Sequence, residues 1–144
     1  MTIRSIAIPV FLVALLSLSC KKKGSTGGTT PEPPPVTEAK IDFRTDPNPG
    51  SNVYTSLSAN FDFKVILTST MPAAGINIDI TTRNSANNEV LGSPINYKSN
   101  VASNNFTIGP LASGVTYTVS VVVSSQKVST PPNTASKSFS VKLK

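Results

Sequence analysis

From residue 39 onward, apolar and polar residues alternate in short runs, and this alternation constrains the fold more than any other feature. In the run 61–68 every second residue is apolar, namely Phe61, Phe63, Val65 and Leu67. A period of two is the pattern of a strand with one buried face. No run in 39–144 has apolar residues at the spacing of an amphipathic helix. The sequence therefore predicts an all-β domain.

Six of these runs are clear and a seventh is weaker. We predict strands at 40–45, 61–68, 76–81, 106–108, 115–123 and 138–143. The seventh run, near 89–97, contains Gly92 and Pro94, and proline within a sheet is confined mainly to edge strands. Pro, Gly, Asn and Ser separate the runs, as turns require. Seven short strands in about 100 residues are typical of a seven-stranded antiparallel immunoglobulin-like sandwich.

A local motif lies between two of the predicted strands. Residues 111–117 read Leu-Ala-Ser-Gly-Val-Thr-Tyr. This segment resembles the corner before strand F of fibronectin type III domains, Leu-x-Pro-Gly-Thr-x-Tyr, although Ser113 stands where the family often has proline. The resemblance implies that Leu111, Gly114 and Tyr117 are structural residues. It also implies that the Tyr117 hydroxyl bonds to the backbone near Leu111.

The first 19 residues have the layout of an export signal. Arg4 precedes an apolar run of about 13 residues, 6–18. As a helix this run would rise about 20 Å, less than the roughly 30 Å hydrocarbon core of a bilayer, which favours a secretory signal over a membrane span. Ser19 and the chain's only cysteine, Cys20, follow. The alternatives are an ordinary signal peptide with an incidental cysteine and an uncleaved anchor.

The sequence around Cys20 resembles the processing site of bacterial lipoproteins, and the three lysines that follow it are similar to those of Bacteroidetes lipoproteins. The family's leucine three positions before the cysteine is Ser17 here. The resemblance implies that Cys20 is lipidated, with acyl chains such as palmitate. Because Lys21 is not aspartate, it also implies an outer-membrane lipoprotein. Because no acidic pair follows Cys20, it implies that the periplasmic face is favoured over the cell surface.

Residues 20–38 contain no hydrophobic periodicity. Their Gly, Ser and Thr residues, followed by the proline-rich stretch 31–35, predict a disordered tether. A chain of this length spans at most about 60 Å. We therefore divide the sequence into a lipoprotein signal peptide (1–19), a lipidated cysteine with its linker (20–38) and a β-sandwich domain (39–144).

Composition limits the chemistry of the predicted domain. The chain has no histidine and one cysteine, which excludes histidine-based triads and disulfides. The acids lie mostly on predicted solvent faces, and no nucleophile motif such as Gly-x-Ser-x-Gly occurs. We expect no enzyme activity, metal site or cofactor. Although the formal net charge is +6, the bases form no continuous stripe, so we expect no nucleic-acid partner.

Three functions fit these observations. The first is a membrane-anchored, non-catalytic envelope lipoprotein whose domain binds or spaces another protein. The second is a glycan-binding lipoprotein of a polysaccharide-uptake system, with Tyr54 and Tyr97 as weak candidates for ligand contacts. The third is a structural stalk without a ligand. The two tyrosines on one rim would favour glycans, whereas an unguarded edge strand would favour a protein partner.

Replacing Cys20 with serine tests the anchor. We expect Cys20→Ser to move the protein from the membrane fraction to the soluble fraction, because each buried acyl methylene contributes about 0.8 kcal/mol of membrane affinity. Fractionation of the envelope followed by immunoblotting measures the distribution. Retention of the variant in the membrane fraction would contradict lipidation at this residue.

Overall fold

The computed structural model describes residues 37–48, 50 and 52–144. The predicted signal peptide, Cys20 and most of the predicted linker lie outside the described residues. The described part of the chain is all-β and contains no helix. Its eight strands are β1 (Phe43–Asp46), β2 (Val53–Ser56), β3 (Phe61–Leu67), β4 (Ile76–Asn84), β5 (Ile95–Ser99), β6 (Ser103–Ile108), β7 (Thr116–Ser125) and β8 (Thr134–Leu143).

The strands form two sheets. One has three strands in the order β1-β3-β6, and the other has five in the order β2-β8-β7-β4-β5. All neighbouring pairs are antiparallel except β2 and β8, which run parallel with Val53 opposite Ser140. The predicted count of seven antiparallel strands is therefore wrong. The strand missed is β2, in which only Ser56 is buried, so its sequence has no apolar alternation.

The sheets face each other across a common apolar core. Phe63 of β3 and Phe139 of β8 meet edge to face, with ring centroids 5.3 Å apart. The predicted inward residues of β7 are buried, namely Tyr117, Val119, Val121 and Val123. Each fully buried side chain of this kind stabilises the fold by about 1.5–3 kcal/mol. The predicted sandwich-like, all-β character is therefore confirmed.

The corner at 111–117 joins the two sheets between β6 and β7. Leu111 is buried, and its N–H donates to the Ala59 carbonyl at 2.7 Å. Gly114 has φ +77°, in the left-handed region that favours glycine. The buried Tyr117 side chain returns toward the corner, where its hydroxyl accepts a hydrogen bond from the Ala112 N–H at 3.2 Å.

Removing the Tyr117 hydroxyl tests how much its hydrogen bond with the Ala112 N–H contributes to stability. We expect Tyr117→Phe to lower the free energy of unfolding by about 1–2 kcal/mol, because the Ala112 N–H loses its partner while the ring stays buried. Urea unfolding followed by circular dichroism measures the change. The control is Thr55→Val on the exposed face of β2. A loss no larger than that of the control would argue against a structural role for the hydroxyl.

Candidate functional site

The structure separates the two tyrosines that the sequence singled out. Tyr54 lies in β2 and Tyr97 in β5, which are the opposite edges of the five-stranded sheet. Four strand spacings place them roughly 19 Å apart across the sheet. Tyr54 packs against Phe61 with centroids 4.8 Å apart, and Tyr97 packs against Phe106 at 5.7 Å. The two rings therefore form no shared platform on one rim.

The hydrogen bonds of β3 determine which backbone groups of its neighbours are free. The Thr68 N–H donates to the Asp42 carbonyl at 2.9 Å, and the Leu67 N–H donates to the Ala102 carbonyl at 2.8 Å. Bonding directions alternate along a strand of an antiparallel sheet. Even-numbered residues of β3 therefore bond to β1, and odd-numbered residues bond to β6.

This alternation leaves one side of β6 unpaired. The register places Phe63 opposite Phe106 and Val65 opposite Asn104, so these residues of β6 bond to β3. The residues between them direct their N–H and C=O groups away from β3, namely Ser103, Asn105 and Thr107. Within the described part of the chain no strand lies on that side of β6. The free edge of β6 thus offers three donors and three acceptors.

The free edge of β6 lacks the charge and the proline that often protect an edge against another strand. Proteins protect edges with short strands, charged side chains, proline or an inward-pointing charge. At six residues β6 is longer than the other edge strands, which have four or five. Its sequence, Ser-Asn-Asn-Phe-Thr-Ile, contains neither charge nor proline. We call the free side of Ser103–Ile108 the open edge.

The other three edge strands, β1, β2 and β5, are short or carry charged residues. β1 carries Arg44 and Asp46 among its four residues, and β2 is also four residues long. β5 follows Pro94 and carries Lys98. The Gln126 N–H donates to the Gly75 carbonyl, so odd-numbered residues of β4 bond to β7 and even-numbered residues bond to β5. In β5 only Asn96 and Lys98 therefore direct their backbone groups outward.

The first half of β8 is also unpaired on one side, since β2 covers only Ser140–Leu143. A groove of about 480 Å³ runs along this half, beside the segment that leads into β1. Lys137 points inward here: its ammonium lies 5.3 Å from the centroid of the Phe43 ring and 3.0 Å from Asp42 Oδ1. A charge in this position obstructs a further strand, so this half of β8 is guarded.

Asp42 is the centre of a small polar cluster beside that groove. The Lys137 ammonium, the Phe43 N–H at 2.9 Å and the Thr68 hydroxyl at 3.1 Å hold the pKa of the Asp42 carboxyl below its ordinary value. Its backbone carbonyl also accepts bonds from the N–H groups of Thr68 and Ser69. These contacts hold the Lys137 side chain, which obstructs the unpaired half of β8, beside the start of β1.

The corner between β5 and β6 fixes the start of the open edge. Ser99 and Asn104 are buried, and the Ser99 hydroxyl lies 2.7 Å from Asn104 Oδ1 as a hydrogen-bond donor. The Asn104 amide nitrogen donates to the Val101 carbonyl at 3.0 Å. Buried polar groups with partners rigidify the segment that they join. The open edge is therefore preorganised by side chains that the sequence pattern did not single out.

A shallow cavity of about 290 Å³ lies on the solvent face of the three-stranded sheet, beside the open edge. The polar residues that line it are Asp46, Asp62, Lys64, Asn105 and Thr107. The Thr107 hydroxyl donates to Asp62 Oδ1 at 2.5 Å. Because Asp46, Asp62 and Lys64 all line the cavity, it carries both signs of charge. A strand added to β6 would place its outward side chains next to these groups.

No family model matches this chain, and a search of curated proteins finds none that is similar to it. In the described ranges no three His, Cys, Asp or Glu side chains approach closely enough to form a metal site. The same ranges hold no helix that is long and apolar enough to cross a membrane. The open edge presents backbone donors and acceptors that an added strand can pair with.

The Asp42 cluster predicts a pH-dependent contribution to stability. A carboxyl whose pKa is lowered by folding stabilises the protein above its unfolded pKa, about 3.9, and this contribution is lost as the pH falls through the folded pKa. We expect Asp42→Asn to be less stable than the wild type at neutral pH. This difference should begin to narrow below about pH 4, where the unfolded chain takes up the proton, and it should vanish once the pH falls through the lower pKa of the folded Asp42 carboxyl.

Thermal unfolding across this pH range measures the difference, with Asp79→Asn in β4 as the control for loss of an acid elsewhere in the domain. A gap between wild type and Asp42→Asn that stays the same from neutral pH into strong acid would show that the carboxylate charge contributes nothing.

Proposed function

We propose that the chain is a lipid-anchored, non-catalytic protein of the bacterial cell envelope whose domain binds another protein by strand addition. The observation that carries this proposal is the open edge, Ser103–Ile108, which pairs with no other strand of the described structure and carries neither charge nor proline. Strand addition takes its affinity from backbone hydrogen bonds and its specificity from alternate side chains.

We further propose that the domain is immunoglobulin-like, of the fibronectin type III kind. With β1, β3 and β6 as strands A, B and E, and β4, β7 and β8 as strands C, F and G, the neighbour relations agree with that fold. The bond from the Ala112 N–H to the Tyr117 hydroxyl supports the tyrosine corner expected of it. In the constant-type immunoglobulin sheet a strand D follows E, and here the open edge occupies that side.

A partner strand on the open edge would meet two different surfaces. Its backbone would pair with the outward groups of Ser103, Asn105 and Thr107, each bond contributing about 0.5–1.5 kcal/mol net. Its inward side chains would lie beside Tyr97, which is 49% exposed and contacts Phe106 of β6. Its outward side chains would lie beside the cavity that holds Asp62 and Lys64. These two rows of contacts supply the specificity.

The anchor and the domain act together in this proposal. The resemblance around Cys20 supports lipidation and an outer-membrane location, with the periplasmic face favoured. The glycan alternative loses the support it would have drawn from paired tyrosines, since Tyr54 and Tyr97 lie at opposite edges. The stalk alternative predicts that no partner binds the open edge.

Proline substitution on the two solvent edges provides a matched test. The Asn105 N–H points away from β3, so Asn105→Pro removes a free donor and leaves the bonds between β3 and β6 intact. The control is Asn96→Pro in β5, where the same residue type also directs its N–H outward. We expect both variants to unfold at similar temperatures, with small shifts from the wild type.

The readout is affinity capture of envelope proteins by the lipidated protein, with quantitative mass spectrometry. We expect a protein that is enriched with wild type and with Asn96→Pro, and reduced at least about tenfold with Asn105→Pro, a loss of about 1.4 kcal/mol. Equal capture by all three proteins would place the partner elsewhere on the domain. Capture of no protein by the wild type would favour the stalk.

A further inference from the structure

Three loops converge at one end of the domain, and we call this end the loop end (residues 68–75, 100–102 and 126–133). Gly75 lies at their meeting point with φ +84°. A Cβ atom there would lie 2.8 Å from the Ser99 carbonyl oxygen and 2.9 Å from Gln126 Nε2, and it would also overlap the Asn100 side chain. Glycine at 75 therefore permits the three loops to pack together.

The chain enters the domain at the loop end. The Ile41 N–H donates to Asn133 Oδ1 at 3.0 Å, and Asn133 Nδ2 donates to the Ala39 carbonyl at 2.9 Å. The last residue lies at the opposite end, where the Lys144 N–H donates to the Ser56 carbonyl at 3.0 Å. At most about 60 Å of extended chain separates Cys20 from the loop end.

The loop end exposes two aliphatic side chains together with positive charge. Val101 is 58% exposed and Val128 is 95% exposed. The exposed lysines at or near this end are Lys40, Lys98, Lys127 and Lys137. The acids here are Glu38 and Asp42, and Asp42 is paired with Lys137. The balance of charge is therefore positive around the two valines.

We propose that the loop end is a membrane-contact surface for an anionic phospholipid bilayer. Val101 and Val128 enter the interfacial layer, and Lys40, Lys98 and Lys127 lie among the anionic headgroups. Apolar side chains flanked by lysines bind such surfaces by burial and by charge together. The inference rests on the proposed anchor at Cys20, which keeps the loop end near the bilayer.

The orientation of the domain follows from this contact. The loop end faces the bilayer, and the opposite end, which includes Leu57 and Lys144, faces away from it. The open edge is part of β6, whose residues run from the corner at the loop end toward the opposite end. The open edge then runs roughly perpendicular to the membrane surface and is reached from the side.

Single fluorescent labels at the two ends test the orientation. Cys20 is the only cysteine and its sulfur is consumed by the proposed lipid, so Val128→Cys and Leu57→Cys each give one reactive thiol. Leu57 is the matched control, because it is 83% exposed and lies at the opposite end. Each lipidated variant carries an environment-sensitive dye and is incorporated into vesicles with or without phosphatidylglycerol in phosphatidylcholine.

We expect the dye at 128 to shift to the blue in vesicles with phosphatidylglycerol and the dye at 57 to remain as in water. The shift should decrease with Lys127→Glu and at about 1 M salt, where the Debye length falls to about 3 Å. Identical polar environments at both labels would overturn the membrane contact while the anchor stands. Failure of the unlabelled protein to float with vesicles would overturn the anchor, and this inference with it.

Discussion

Apolar packing between two sheets is the interaction on which everything else in this domain depends. The chain has one cysteine, and it lies outside the predicted domain, so no disulfide holds the fold. Val119, Val121 and Val123 of the central strand β7 are fully buried, as are Ile76 and Ile78 of its neighbour β4. Strands at the edges can then be short, polar or partly unpaired without loss of the core.

The change of sheet between β1 and β2 leaves the first half of β8 unpaired. The segment before β3 pairs first with β3 and then with β8, so β2 reaches only the last residues of β8. Along the first half of β8, Lys137 obstructs a further strand, and its contacts with Asp42 and Phe43 hold it in place. On the other side of the molecule β6 has no comparable residue. The contrast within one chain makes the open edge a specific feature rather than a general property of its surface.

The alternation of apolar residues predicts six strands and most of the core, because burial of one face dictates a period of two. It misses β2, whose residues are held by pairing with β8 rather than by burial. It predicts β6 only from 106, since Ser103 and Asn105 face solvent and Asn104 is buried through polar contacts. Which backbone groups of β6 are free depends on its register with β3, a strand distant in sequence. The separation of Tyr54 from Tyr97 depends on the order of strands in the sheet. Neither is encoded in a local pattern.

The three-stranded sheet has a mechanical consequence for an anchored protein. The chain from the proposed anchor joins this sheet at β1, and the proposed partner joins it at β6, so the two attachments are the opposite edges of β1-β3-β6. Hydrogen bonds between antiparallel strands lie perpendicular to the strands. A pull along the strand direction between membrane and partner therefore loads the bonds of each ladder in shear. Bonds loaded in this way share the force and break together, whereas bonds that are peeled from one end break one at a time.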